Sequence, residues 1–158
     1  MAVYQIEKEQ LIIADISDVW NFISSPENLK YITPPYLGFE ILNKNIPKKM
    51  YSGMIISYKV SPMFGIKMKW VTEITHIKEN EYFVDEQRIG PHSMWHHLHK
   101  IVVIKEGVLM TDIVTYQPPL GILGPLLNKF FISKQLDEIF SFRKSSIEKR
   151  FENLKTNI

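Results

Sequence analysis

Four of the chain's five histidines, His92, His96, His97 and His99, fall within eight positions in the stretch GPHSMWHHLHKI, beside one of its three tryptophans. Imidazole changes charge closest to neutral pH, so such a cluster could hold a metal, move a proton or orient a ligand. On a strand, alternation sends Trp95, His97, His99 and Ile101 to one face and Met94, His96, Leu98 and Lys100 to the other. Lys100 marks the solvent side. His97 and His99 then share a concave face with Trp95, and His92 falls in the preceding turn.

The run before this strand carries Phe83, Asp85 and Gln87 on one face and Tyr82, Val84, Glu86 and Arg88 on the other. The run after it carries Met110, Asp112, Val114 and Tyr116 opposite Leu109, Thr111, Ile113 and Thr115. Alternation alone does not choose the inward face, since Leu109 and Ile113 would also suit a core. Further on, at about 100° per residue, Leu136, Ile139, Phe140, Ile147, Phe151 and Leu154 form one apolar helical stripe, and Arg143 lies within it. A buried unpaired guanidinium costs roughly several kcal/mol, so Arg143 needs a carboxylate or an anionic ligand. Asp85 or Asp112, with His97 or His99 between, would make a structural network; a ligand's polar head would serve equally.

His97 and His99 at i and i+2, joined by one carboxylate, could hold zinc with an open position. No HExxH helix accompanies them, and Arg143 would repel a cation, so no metal ligand and no cofactor is assigned. For catalysis the candidates are His97 or His99 as general base and Asp112 or Tyr116 as orienting group or acid. The chain has no cysteine nucleophile, no serine elbow and no phosphate-cradling glycine loop.

These residues must be positioned by a simple order of elements. Residues 3–14 alternate as a strand; Asp15 or Ser17 and then Ser25-Pro26 are start signals for two short helices, and Pro34-Pro35 stops the second. FEIL, MIISYKV, IKMKWVTEI, EYFVDEQRI, SMWHHLHKIVVI and VLMTDIVTY read as six more strands, with tight hairpins at Glu79-Asn80 and Glu106-Gly107. The loop QPPLGILGP leads, with Gly124 as cap and Pro125 at the first helical position, into the long helix. Met68, Trp70, Thr72 and Ile74 face inward, opposite Lys67, Lys69 and Glu73. Met63, Phe64, Leu120, Ile122 and Leu123 lie in connections, where apolar side chains suit a cavity gate, a partner or membrane surface, or packing against the small helices.

The expectation is one α+β domain over residues 1–158, a seven-stranded curved antiparallel sheet wrapped around a long C-terminal helix with a cavity between them. Nineteen basic against seventeen acidic residues give too small a surplus to favour nucleic acid. No apolar run approaches the roughly twenty residues that span a bilayer. The absence of cysteine and of a signal-peptide pattern suits a reducing, cytoplasmic setting.

NLKYITPPYLGFEI, the Trp70 strand, FVDEQ into Gly90-Pro91, WHHLH, TDIVTYQPPLGILG and QLDEIFSFRKSSIEKRF together resemble the START, polyketide cyclase and Bet v 1-like (SRPBCC) superfamily, more narrowly a bacterial subgroup of ligand-binding proteins. The resemblance covers nearly the whole chain and implies the helix-grip fold. It also implies that Asp85 and Asp112 face the cavity. The expected function is binding of a hydrophobic or aromatic, lipid- or polyketide-like small molecule, with Trp70, Phe83, Asp85, Gln87, Trp95, His97, His99, Asp112, Tyr116, Phe140, Arg143 and Ile147 as ligand-binding candidates. The alternative is a cyclase or dehydratase-like enzyme with a cavity histidine as base.

Overall fold

The computed structural model describes residues 2–63 and 65–156, the side chains of Met63 and of residues 153–156 excepted. The expectations for Met63, Phe64 and Leu154 as side chains therefore lie outside the described residues.

Strand β1 (Tyr4–Ile12) is followed by helix α1 (Ile16–Ile23), then by β2 (Glu40–Ile41), β3 (Met54–Met63), β4 (Ile66–Lys78), β5 (Tyr82–Ile89), β6 (Met94–Ile104) and β7 (Gly107–Gln117). All seven form one sheet in the order β1-β7-β6-β5-β4-β3-β2, and every neighbouring pair is antiparallel. Only the β1–β7 contact joins strands distant in sequence; the other pairs are successive along the chain. This is the curved sheet and C-terminal helix of a helix-grip fold.

Several expectations are refined. The second small helix is not α-helical but a 3₁₀ turn, Pro26–Tyr31, followed by another at Pro35–Leu37. Pro26 stands at the first position of the turn, and Thr33, preceding Pro34, is biased away from helical angles, which confines the segment to a short turn. FEIL contributes only a two-residue strand. The β6–β7 turn is Lys105–Glu106, and Gly107 opens β7 at φ +148. A Cβ there would sit 2.5 Å from the Ile12 carbonyl oxygen, so glycine lets the end of β1 approach the hairpin.

Before the long helix, Gly121–Leu123 make a 3₁₀ turn, so Gly124 is already helical (φ −53) and Leu123 occupies the cap. Helix α2 (Gly124–Leu127) runs through a π turn, Asn128–Ile132, into α3 (Ser133–Thr156). The buried Tyr116 hydroxyl donates to Asn128 Oδ1 at 2.8 Å, tying this turn to β7. Gln10 Nε2 donates to the Lys144 carbonyl at 2.9 Å, Lys8 pairs with Asp137, and Gln135 reaches the Pro62 carbonyl, so α3 is held at both edges of the sheet.

Curvature comes from register shifts. Thr72 pairs with Gln87 but Val71 with Ile89, leaving Arg88 as the extra residue on β5. Ile74 pairs with Asp85 but His76 with Val84, leaving Thr75 extra on β4. Such bulges bend a strand and move its inward face by one residue. Inward positions on β4 accordingly pass from Trp70, Thr72 and Ile74 to Ile77, which packs against the main core.

The described interior packs in three groups, two of which contain buried residues of α3. At one end Ile147 and Phe151 pack with Val19, Trp20 and Ile23 of α1 and with Ile12, Ile101, Val108 and Met110 of the sheet. At the other, Leu136 and Phe140 pack with Val114 and Tyr116. Arg143 sits between these groups on the same helical face. No helix among the described residues is long and apolar enough to cross a membrane.

Candidate functional site

The central strands place four ionisable side chains on one patch of the concave face. In the sheet register Asp85 lies opposite His97, His99 opposite Asp112, and Phe83 opposite His99. Each imidazole reaches its direct cross-strand carboxylate and the diagonal one, the two neighbours that a pleated sheet brings within side-chain reach. His99 Nδ1 lies 2.8 Å from Asp112 Oδ1 and His99 Nε2 lies 2.7 Å from Asp85 Oδ2. His97 Nε2 lies 2.9 Å from Asp112 Oδ1, and its Nδ1 lies 3.5 Å from Asp85 Oδ2. From α3, Arg143 Nε comes within 3.3 Å of Asp112 Oδ2. The faces left open by alternation are thus the Asp85 and Asp112 faces, while His96 points away from this cluster.

Protonation follows from these distances. Carboxylates can only accept, so His99, placed between two of them, carries protons on both nitrogens. Burial would lower its pKa, but the bonds to Asp112 and Asp85 outweigh burial and hold it above the ordinary value. Its ring stacks on Phe83 with centroids 4.1 Å apart. His97 differs, because burial and the charge of His99, 3.6 Å away between ring centroids, push it down to about 4 despite Asp112 and Asp85. It is therefore neutral, donating from Nε2 to Asp112 and keeping a lone pair on Nδ1.

Burial would raise both carboxyls, and their partners reverse this. Arg143, then the bonds from His97 and His99, hold Asp112 well below the usual range. The His99 bond, with the charges of His99 and Arg143, holds Asp85 down as well. Two carboxylates thus balance one imidazolium and one guanidinium. With His99 doubly protonated, the 3.1 Å approach of Arg143 Nη2 to His99 Nδ1 brings two donors together. Arg143 is held by charge, and its buried Nε makes no hydrogen bond of good geometry among the described residues.

Beside this cluster the sheet and α3 enclose a cavity of about 170 Å³. Of the sequence-derived candidates, Trp70, Phe83 and Trp95 form its aromatic wall with Phe140, while Asp85, His97, His99 and Arg143 form its polar end. Asp112 lies behind the histidines and does not line it. Gln87 instead clasps the backbone of His92, accepting from its N–H and donating to its carbonyl. Tyr116 and Ile147 belong to the packed interior on either side, Ile147 being wholly buried.

The cavity also includes residues outside the ligand-binding candidates, among them Tyr58, Thr72, Gln135 and His92. Tyr58 and Thr72 share a hydrogen bond of 3.0 Å across β3 and β4. Their inward position follows the alternation that placed Trp70, and that signal was available. His92 was assigned to a turn, correctly, but its ring turns inward, stacked on Trp95 at 5.0 Å and edge-on to Trp70 and Tyr116. The Gln87 clasp causes this, and no local pattern announces it. Trp70 Nε1 and His92 Nδ1 are both buried without a hydrogen-bond partner among the described residues. The apolar loop side chains Leu120, Ile122 and Leu123 do not pack inward; Ile122 is 93% exposed. Asp85, His97 and His99 also bring possible metal-ligating atoms within 4.8 Å of one another.

Fold and site together define a helix-grip protein with a cavity that is apolar along its walls and charged at one end. Among solved structures, this chain is similar to a START superfamily protein from Mycobacterium smegmatis (17% identity, 95% of this chain and 98% of that one, TM-score 0.68). It is similar to the di-domain ARO/CYC StfQ of the steffimycin biosynthetic pathway (10% identity, 99% of this chain and 53% of that one, TM-score 0.70). It is also similar to Ara h 8.0201 (13% identity, 92% and 98% covered, TM-score 0.59). No protein-family model and no curated protein matches the chain. The architecture is thus that of the START, polyketide cyclase and Bet v 1-like proteins.

Two measurements check the electrostatics. Asp112→Asn leaves the buried Arg143 guanidinium without its carboxylate and Asp85 alone against two cations, and is expected to cost about 3–5 kcal/mol in urea unfolding at neutral pH. Arg143→Met should cost less, because Asp112 still accepts from two imidazoles. Equal losses would contradict Asp112 as the hub. His92, lowered by burial to about 4, provides the second. Between pH 6.5 and 4 the unfolded chain binds this proton and the folded chain does not, so the contribution is complete above 6.5 and falls as pH drops. The difference in unfolding free energy between the unaltered chain and His92→Phe should change through that window by at most about 1.4 kcal/mol per pH unit. A flat difference would place His92 outside the apolar pocket.

Proposed function

We propose that the protein binds a compact hydrophobic or aromatic small molecule whose polar group points at the Asp85, His97, His99 and Arg143 end of the cavity. The observation that carries this reading is the pairing of an aromatic-walled cavity with buried polar atoms, Trp70 Nε1 and His92 Nδ1, that find no partner among the described residues. Burying a donor unsatisfied costs about 1–3 kcal/mol, and a ligand oxygen would recover it. The volume supports a ligand of one or two rings, since a cavity of about 150 Å³ lined by aliphatic and aromatic side chains takes benzene. START and polyketide cyclase proteins among the structural neighbours support the same class of ligand.

Native mass spectrometry of the purified chain, followed by fluorescence titration with 1-naphthoate, 2-naphthol and indole, tests this. At least one should bind in a 1:1 ratio, with affinity reduced about tenfold or more by Trp70→Ala and unchanged by His96→Ala. Failure of all three probes, with no small molecule carried through purification, would sink the reading.

A second reading rests on His97. Its Nε2 is oriented by Asp112 and the residue lines the cavity, the arrangement of an oriented general base. Such a base would remove a proton from a bound substrate in a cyclisation or dehydration. Loss of turnover in His97→Gln with ligand affinity retained would support this reading, and equal turnover in that variant would end it.

A further inference from the structure

We propose that Asp85, His97 and His99 form a site for one divalent first-row transition ion, of the Zn²⁺ or Fe²⁺ class, with its open coordination positions facing the cavity. Asp85 Oδ2 lies 2.7 Å from His99 Nε2 and 3.5 Å from His97 Nδ1. Ligands of a tetrahedral zinc with bonds of about 2.0–2.1 Å stand about 3.3 Å apart. The two separations bracket that value, and all three ligating atoms lie within 4.8 Å of one another. Two imidazoles and one carboxylate are the donor set of three-ligand catalytic zinc sites and of two-histidine, one-carboxylate iron sites.

Three further features favour an ion at this point. Asp112 Oδ1 accepts from His97 Nε2 and from His99 Nδ1, the nitrogens that would not ligate. Ligating histidines characteristically pass their other ring N–H to a carboxylate, which fixes the tautomer and raises ligand basicity. Here one buried carboxylate does this for both rings. Next, His97 Nδ1 and Asp85 Oδ2 stand 3.5 Å apart, too long for a close hydrogen bond between them and near the separation of two ligands on one ion. Lastly, the three proposed ligand residues line the cavity whereas Asp112 does not.

Arg143 is the natural objection, since a guanidinium repels a cation. In the structure it is paired with Asp112 Oδ2 at 3.3 Å, on the far oxygen of the supporting carboxylate. That pair is neutral. A divalent ion replacing the His99 Nε2 proton, with Asp85 ionised, leaves one net positive charge at the polar end of the cavity. An anionic oxygen entering from the cavity as the remaining ligand restores neutrality. The site would therefore select carboxylate, enolate or phenolate ligands. Metal binding itself does not rest on the proposed organic ligand, because it is read with the ion alone.

The full chain, stripped with chelator, is titrated with Zn²⁺ by calorimetry. One equivalent should bind; His97→Ala and Asp85→Asn should each abolish it, Asp112→Asn should weaken it about 10–100-fold, and His76→Ala and His96→Ala should leave it unchanged. Stoichiometric binding that survives His97→Ala overturns the proposal, as does the absence of binding to the unaltered chain. Since buried variants can unfold, Co²⁺ is added to the unaltered chain as an independent measurement. The visible absorption of a four- or five-coordinate ion, with the ring resonances of His97 and His99 broadened and those of His76 and His96 sharp, is the expected result. Broadening confined to His76 or His96 overturns the assignment. Naphthoate binding without Zn²⁺ binding would remove the metal site and leave the ligand reading intact.

Discussion

The carboxylate of Asp112 is the constraint around which the interior is arranged. It is 6% exposed, yet it accepts from two imidazoles through one oxygen and holds a guanidinium with the other. A buried ion of either sign is tolerated only when its partners are buried with it. Asp85 completes the set, and the four formal charges cancel when His97 is neutral. No member can be removed singly without leaving a buried charge uncompensated, which makes the cluster a unit.

Holding that unit demands much of the fold. β5, β6 and β7 must lie side by side in a register that sets both histidines between both carboxylates, because a one-residue slip would send His97 and His99 to the solvent face. α3 must cross the sheet with Arg143 aimed at β7, and its contacts with β1, with the end of β3 and, through Asn128, with β7 fix that crossing. The bulges on β4 and β5 bend the sheet around the helix and leave the space that the aromatic wall lines.

Much of this was legible in the sequence. Period-two runs gave the seven strands, although β3 and β4 run three and four residues beyond MIISYKV and IKMKWVTEI, and the apolar stripe gave α3, because both patterns are dictated by one buried face. Arg143 inside that stripe announced a buried partner, and the candidates Asp85, Asp112, His97 and His99 are the groups found around it. What stayed hidden depends on geometry that no period encodes. The extra residues Thr75 and Arg88 look like ordinary strand residues. The π turn at Asn128–Ile132 lies within an uninterrupted helical pattern, and the inward turn of His92 depends on Gln87, five residues earlier. Gln87 itself has the right alternation for the cavity, but its amide is committed to backbone groups. Nor could spacing show that Asp112 stands behind the histidines while Asp85 stands before them, a distinction of depth along one face.

The central claim is that Asp112 and Asp85 together hold His99 as an imidazolium while His97 stays neutral. Ring ¹⁵N chemical shifts of the metal-free protein at neutral pH measure this directly. The account requires two protonated nitrogens on His99, and on His97 a protonated Nε2 with a bare Nδ1. A neutral His99, or a charge residing on His97 instead, would contradict it.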